Sequence, residues 1–155
     1  LDQVWWLLTP SNPLKRNDPS PVDERLRVAN LLVEHPKIFV TKIENELNTV
    51  YTSQTLKLIQ IRCPNVRFVW LMGADNMIQF DKWMNWKEIV YRVPIGILAR
   101  PDHTLAPLKS KLAKSFSPYR LRANQSRDLG NLKAPYWCYK NLPLLNVSSS
   151  QIRAS

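Results

Sequence analysis

Short apolar runs alternate with helical patterns along this chain, and this alternation constrains the fold more than any other feature. Apolar runs predict strands at residues 4–8, 38–41, 66–72, 95–99, 136–139 and 142–147. Helical patterns predict helices that start near residues 20 and 52 and that cover residues 76–80, 86–91 and 107–116. Since such strands are joined by right-handed crossovers, we predict an α/β fold with a mostly parallel sheet covered by helices on both faces.

Local signals indicate how the two longer helices begin. Ser20 is predicted to cap the first helix, with Pro21 at the first helical position. A Thr or Ser within residues 51–55 is predicted to cap the second helix. Residues 42–50, which precede that second helix, are polar and are predicted to form a loop.

The composition fits one globular domain without a membrane segment. The chain has 155 residues, of which 45% are hydrophobic, which is enough for a single core. No apolar stretch approaches the roughly 18 residues of a membrane helix, and no signal peptide opens the chain. Cys63 and Cys138 have no further Cys or His at metal-ligand spacing. We therefore predict a soluble, cytoplasmic protein without a zinc site or a disulfide framework.

Positive charge is concentrated in the last third of the sequence. Residues 1–99 contain 12 Lys or Arg against 10 Asp or Glu, whereas residues 100–155 contain 10 against 2. Much of this charge lies in residues 101–133, which we interpret as a basic excursion from the domain. Such charge suits either a nucleic acid or a pocket for a polyphosphate, and composition does not separate the two.

Polar and charged side chains follow the carboxyl ends of the predicted strands, where open parallel sheets bind their ligands. These residues are Lys15, Asp75, Trp83, Arg100 and residues 148–153. Residues 147–153 (VSSSQIR) predict a strand that leads into a helix start, where Ser148, Ser149 and Ser150 together with Arg153 could bind a phosphate. The alternative is that one of these serines simply caps a helix.

Two further constellations suit a nucleotide. Gly73 at a strand end would let a ligand approach the backbone, and the Asp75 carboxylate could accept both hydroxyls of a ribose. A turn glycine followed by a helix-capping Asp is the alternative. Tyr51 and Thr52 at a helix start, together with the indole of Trp83, suit a flat aromatic acid, although packing and capping would explain the same residues.

Taken in order, six motifs of the chain resemble those of the bacterial nicotinate-mononucleotide adenylyltransferases, within the HxGH nucleotidyltransferase superfamily. The resemblance implies a Rossmann-like nucleotidyltransferase fold over residues 1–155. The motifs are TPSNPLK (9–15), YTSQTL (51–56), FVWLMGAD (68–75), FDKWMNW (80–86), ILARP (97–101) and VSSSQIR (147–153).

This resemblance implies transfer of AMP from ATP to nicotinate mononucleotide, which gives deamido-NAD and pyrophosphate in NAD biosynthesis. By position, Gly73 and Asp75 would hold the adenosine ribose region, while the serine run and Arg153 would hold the ATP phosphates. Tyr51, Thr52 and Trp83 would line the nicotinate pocket. Lys15 would lie near the reacting phosphates and Arg100 at the rim of the site. Mg²⁺ would be bound with ATP, mostly by phosphate and water.

The chain departs from the family pattern at its start. The family opens with a Gly-rich turn of the GGSFNPPHxGH kind, and this sequence contains no such turn. His35 and His103 stand in other contexts, so no catalytic histidine is assigned. We therefore expect that the 155 residues lack the family's first strand and helix and its last helix, form a domain incomplete at both ends, and are inactive as an isolated segment.

Three alternatives remain open at the level of sequence. The charge of residues 100–155 would suit a basic nucleic-acid-binding module, although no nucleic-acid-binding signature appears. The missing histidines would suit an inactive, truncated relative. The third alternative is another enzyme of the same superfamily, one that acts on pantetheine phosphate or transfers a cytidyl group. Tyr51, Thr52 and Trp83 favour a pyridine ring over these other substrates.

Overall fold

A computed structural model of the chain describes residues 1–11, 19–99 and 106–141. The Cα positions divide the chain into two compact units, one comprising residues 1–66 and the other beginning at Arg67. No helix in the described ranges is both long enough and apolar enough to cross a bilayer.

The first unit contains a small parallel sheet connected through a helix. Its elements are β1 (Val4–Leu7), α1 (Val22–Leu32), β2 (Ile38–Thr41), α2 (Ile43–Glu46) and α3 (Thr52–Arg62). Val4 lies opposite Ile38 and Leu7 opposite Thr41, so the two strands pair over their full lengths. Ala29 of α1, and Leu56 and Ile59 of α3, are buried.

The second unit contains a parallel sheet in the order β3-β4-β6-β5, as far as the described residues extend. Its strands are β3 (Trp70–Gly73), β4 (Ile95–Leu98), β5 (Arg120–Leu121) and β6 (Trp137–Lys140). Its α-helices are α4 (Ala74–Ile78), α5 (Trp86–Arg92) and α6 (Lys111–Ser115). Short 3-10 helices cover Phe80–Lys82, Ala106–Lys109, Ser117–Tyr119 and Ala123–Asn131.

The centre of this sheet is closely packed. Ile95 and Ile97 of β4 are fully buried, as is the indole of Trp137 on β6. A Cβ atom on Gly96 would lie 2.6 Å from Cδ2 of Leu71 on the neighbouring strand, so glycine gives the two strands the space they need. An apolar, nearly continuous strand of this kind is typical of a parallel sheet covered on both faces.

The predicted parallel α/β fold is confirmed, and the strands at 4–8, 38–41, 95–99 and 136–139 lie within one residue of their predicted positions. The strand predicted at 66–72 begins only at Trp70. The pairing of β3 with β4 begins where the Trp70 amide donates to the carbonyl of Pro94. Pro94 has no N–H, so it cannot donate a hydrogen bond to the residues before Trp70. The strand predicted at 142–147 lies outside the described residues.

Several local predictions are wrong. Pro21 rather than Ser20 occupies the cap position of α1, and the carbonyl of Ser20 instead accepts a hydrogen bond from Nε of Arg25. The predicted loop at 42–50 contains α2. The helix predicted at 107–116 is interrupted at Ser110, whose hydroxyl caps α6 by accepting from the amide of Ala113. β5 has only two residues and carries no sequence signal of a strand.

Replacing Trp137 with Phe should test the packing of this core. The indole N–H donates to the buried carbonyl of Phe116 at 2.7 Å, so the smaller ring would leave both a cavity and an unsatisfied acceptor. We expect the free energy of unfolding to fall by about 2–4 kcal/mol in urea titrations. Tyr91→Phe is the matched control, because that ring is mostly exposed, and it should change stability by less than about 0.5 kcal/mol. Equal stabilities of the two variants would contradict this role of Trp137.

Candidate functional site

The carboxyl end of β3 leads directly into a helix. Gly73 is the last residue of the strand and also the cap position of α4, with an extended backbone at φ −73° and ψ 156°. Asp75 is half-buried in the first turn of α4, so it is not the capping residue considered from sequence. A strand end that runs into a helix start places backbone N–H groups and a carboxylate together, which suits the hydroxyls and phosphates of a nucleotide.

Aromatic rings hold Trp83 in place. The residue follows the 3-10 helix Phe80–Lys82, and its half-buried indole meets two rings edge to face. The ring centroids lie 5.2 Å apart for Phe80 and 6.3 Å apart for Trp70. Phe80 is fully buried and also contacts Trp86 edge to face at 6.1 Å. The supporting rings therefore fix the orientation of an indole that remains partly accessible.

Tyr51 and Thr52 stand at the start of α3, as predicted, but the predicted Thr or Ser cap is wrong. Tyr51 occupies the cap position with an extended backbone, and Thr52 is the first helical residue. The Tyr51 carbonyl accepts from the amides of Gln54 and Thr55 at 3.0 Å each. Ser53 is buried, and within the described residues its Oγ has no hydrogen-bond partner.

A buried polar cluster that sequence reasoning missed lies behind the start of α3. We call it the Glu44 cluster, and its members are Glu44, Thr49 and Thr55. Thr55 Oγ1 lies 2.8 Å from Thr49 Oγ1, 3.1 Å from Glu44 Oε1 and 3.2 Å from the Tyr51 carbonyl oxygen. The polar run 42–50 contains both Glu44 and Thr49, but nothing in its pattern indicates burial.

The environment of Glu44 favours the neutral acid. The residue is only 4% exposed, and no cation of the described residues forms an ion pair with it. Burial raises the pKa of this carboxyl, and the hydrogen bonds with Thr9 and Thr55 oppose the rise only in part. A carboxyl that is harder to ionise in the folded protein makes stability depend on pH.

The predicted site residues are distributed between the two units. Tyr51 and Thr52 belong to the first unit, whereas Gly73, Asp75 and Trp83 belong to the second. The remaining predicted positions lie outside the described residues, and they are Lys15, Arg100, Ser148, Ser149, Ser150 and Arg153.

The described residues contain no group of three or more His, Cys, Asp or Glu side chains that could hold a metal ion. Both cysteines lie in the described ranges and are free thiols, with Cys138 buried and Cys63 half-buried. Burial raises the pKa of the Cys138 thiol. It is therefore a packed core side chain rather than a reactive thiolate.

Comparison with known proteins first identifies the class of protein to which this chain belongs. The family model described as cytidylyltransferase-like matches residues 1–155. A Plasmodium falciparum nicotinic acid mononucleotide adenylyltransferase complexed with APC superposes with a TM-score of 0.65 at 17% identity, covering 99% of this chain and 68% of the other. That likeness supports the fold alone. The fold and the family model together define a nucleotidyltransferase of the cytidylyltransferase-like family.

Curated relatives identify a narrower family within this class. A "Probable nicotinate-nucleotide adenylyltransferase" of Ruegeria pomeroyi is 44% identical over 155 residues, which are 100% of this chain and 73% of that protein. A protein of the same name from Cereibacter sphaeroides (strain ATCC 17023) is 46% identical over 155 residues, with 82% of its length covered. Within its class, the chain therefore belongs to the nicotinate-nucleotide adenylyltransferase family, and the resemblance noted from its motifs is confirmed.

Replacing Glu44 with Gln should change how stability depends on pH. The folded protein holds its proton more tightly than the unfolded chain does, so this group favours folding at acidic pH. Its contribution is lost as pH rises above the ordinary carboxyl pKa of 4.5 towards the raised folded pKa. The Gln side chain of Glu44→Gln cannot ionise, so the variant does not lose this contribution. In urea titrations, its free energy of unfolding should therefore rise relative to that of the wild type as pH increases across this range.

Glu46→Gln is the matched control for this titration, because Glu46 belongs to the same short helix and is exposed. Its stability should follow the wild-type pH dependence. Parallel curves for Glu44→Gln and the wild type would show that Glu44 ionises in the folded protein as it does in the unfolded chain.

Proposed function

We propose that the protein transfers AMP from ATP to nicotinate mononucleotide, producing deamido-NAD and pyrophosphate for NAD biosynthesis. The observation that carries this proposal is the 44–46% identity over essentially the whole chain to relatives named for this activity. A solved structural neighbour in complex with NaAD, 16% identical to this chain, shares the fold. The direct test is to incubate the full-length protein with ATP and nicotinate mononucleotide and to separate the products by chromatography.

The reaction needs positioning more than covalent chemistry from the protein. A phosphate oxygen of the mononucleotide attacks the α-phosphorus of ATP in line, a new P–O bond forms, and pyrophosphate leaves with the electron pair of the broken bond. The protein contributes by holding both nucleotides and by stabilising the negative charge that spreads over the phosphates. We therefore look for residues that bind and orient rather than for a nucleophile.

On the ATP side, we propose that Gly73 and Asp75 bind the adenosine ribose region. The half-buried Asp75 carboxylate in the first turn of α4 can accept hydrogen bonds from ribose hydroxyls, and Gly73 has no Cβ to hinder the approach of a ligand to the backbone. Ser148, Ser149, Ser150 and Arg153 are proposed to bind the triphosphate. Lys15 is proposed to act near the reacting phosphates, with Arg100 at the rim.

On the mononucleotide side, we propose that Trp83 stacks on the nicotinate ring and that the backbone at Tyr51 and Thr52 binds its carboxylate. The rings that support Trp83 and its partial exposure favour the first assignment. The position of Tyr51 and Thr52 at the start of an eleven-residue helix favours the second, because the first amides of a helix attract anions.

We further propose that Mg²⁺ enters with ATP as part of the substrate. An ion held mainly by triphosphate oxygens and water needs few protein ligands. A cytoplasmic location is proposed because ATP and a biosynthetic nucleotide are both consumed there. Since the family model extends over residues 1–155, we also propose that these residues belong to one nucleotidyltransferase domain.

Trp83→Ala should separate the two substrates. Loss of the stacking surface is expected to weaken nicotinate mononucleotide binding by about 10- to 100-fold and to change ATP binding little. Isothermal titration of the full-length protein with each nucleotide measures both affinities. Trp83→Phe retains an aromatic face and serves as the matched control, with a smaller loss expected. An equal loss for both nucleotides in Trp83→Ala would show that the assignment of this residue is wrong.

Asp75→Asn should impair the use of ATP and leave the use of nicotinate mononucleotide nearly unchanged. The amide accepts hydrogen bonds less strongly than the carboxylate, so we expect the KM for ATP to rise about tenfold with little change in the KM for nicotinate mononucleotide. Asp81→Asn is the control, because Asp81 instead faces Lys111 at 3.4 Å on the surface of the second unit. Unchanged ATP kinetics in Asp75→Asn would remove Asp75 from the ATP site.

A further inference from the structure

Glu44 is a buried acidic residue for which the proposed reaction has no use, and its surroundings suggest another role. We propose that Glu44 is a positioning residue, whose carboxyl group holds Thr55 in the first turn of α3 and so holds the backbone at Tyr51 and Thr52. This inference rests on the proposed function only in assigning that backbone to the nicotinate carboxylate.

The contacts form a path from α2 to the start of α3. Glu44 on α2 accepts from the Thr55 hydroxyl, with 3.1 Å between Oε1 and Oγ1. Thr55 in turn reaches the Tyr51 carbonyl through both its hydroxyl and its amide, at 3.2 Å and 3.0 Å. All residues in this path belong to the first unit.

The same short helix that carries Glu44 is tied to the following turn. The amide of Thr49 donates to the carbonyl of Glu44 at 2.9 Å, and the Thr49 hydroxyl lies 2.8 Å from that of Thr55. Asn48 between them adopts a left-handed conformation at φ 51°, which reverses the chain direction. Glu44 is thus fixed through its backbone as well as through its side chain.

The Thr55 hydroxyl is the centre of this cluster. Its single hydrogen has two acceptors within reach, Glu44 Oε1 at 3.1 Å and the Tyr51 carbonyl oxygen at 3.2 Å. The Thr49 hydroxyl, 2.8 Å away, can donate to Thr55 in turn. Because the Thr55 hydrogen is shared between the Glu44 carboxyl and the Tyr51 carbonyl, the buried acid is coupled to the first turn of α3.

This arrangement explains how an uncharged polar cluster survives in a packed interior. Glu44, Thr49 and Thr55 are all buried, and each has a hydrogen-bond partner within the cluster. Removing the carboxyl would take an acceptor away from the buried Thr55 hydroxyl and would free the first turn of α3. The amides of Gln54 and Thr55, which donate to the Tyr51 carbonyl, report directly on that turn.

The test compares Glu44→Ala, Glu44→Gln and Glu46→Ala in the full-length protein. Hydrogen exchange is the first measurement. Glu44→Ala should speed exchange of the Gln54 and Thr55 amides about tenfold, because loss of a buried hydrogen-bonded group favours local opening. Glu44→Gln retains a donor and an acceptor and should stay near the wild type. Glu46→Ala, on the exposed side of the same helix, should leave exchange unchanged.

Steady-state kinetics is the second measurement. Glu44→Ala should raise the KM for nicotinate mononucleotide about tenfold while the KM for ATP stays within about twofold, and Glu44→Gln should restore most of the loss. If Glu44→Ala does not fold, the pair Thr55→Val and Thr55→Ser is used, in which only Val removes the hydroxyl and should show the same defects.

Three outcomes separate this inference from the proposed function. Exchange of the Gln54 and Thr55 amides that is equal in Glu44→Ala and Glu46→Ala would overturn the positioning role, whatever the activity. Faster exchange together with equal increases in both KM values would likewise overturn the link to the mononucleotide. A wild-type protein that exchanges as expected but forms no deamido-NAD would instead overturn the proposed function.

Discussion

Parallel strand pairing is the constraint on which the structure of this chain depends. In the second unit, β3, β4 and β6 run side by side in the same direction, so their carboxyl ends lie at one edge of the sheet. Gly73 closes β3 at that edge, and α4 starts at the next residue. The pairing needs a strand buried on both faces, which β4 supplies with Ile95, Gly96 and Ile97.

Two different kinds of interaction hold the candidate binding residues in position. Trp83 is held by apolar contacts, with the fully buried ring of Phe80 at its edge. The start of α3 is instead held by hydrogen bonds, through Thr55 and the buried acid Glu44. Apolar packing orients a flat ring, whereas hydrogen bonds fix the direction of backbone amides, so each support matches the group that it positions.

Much of the fold could be predicted from the residues, and the exceptions have identifiable causes. IFVT at 38–41 and IGILA at 95–99 are apolar enough to indicate strands by themselves, and both form strands. The two-residue strand Arg120–Leu121 could not be found, since it exists only by pairing with Trp137 and Cys138. The caps of α1 and α3 were misassigned because several neighbouring polar residues competed for each position and backbone geometry selected Pro21 and Tyr51.

The sequence by itself determined the alternation of strands and helices, the family motifs and the candidate residues Gly73, Asp75, Trp83, Tyr51 and Thr52, because these signals depend on neighbours in the chain. Only the tertiary structure revealed Glu44. Glu44 lies among polar residues in the sequence, yet in the folded protein it is buried and accepts a hydrogen bond from Thr55, 11 residues further along the chain. Local pattern reports what a residue could do, but burial and hydrogen-bond partners follow from contacts between distant segments.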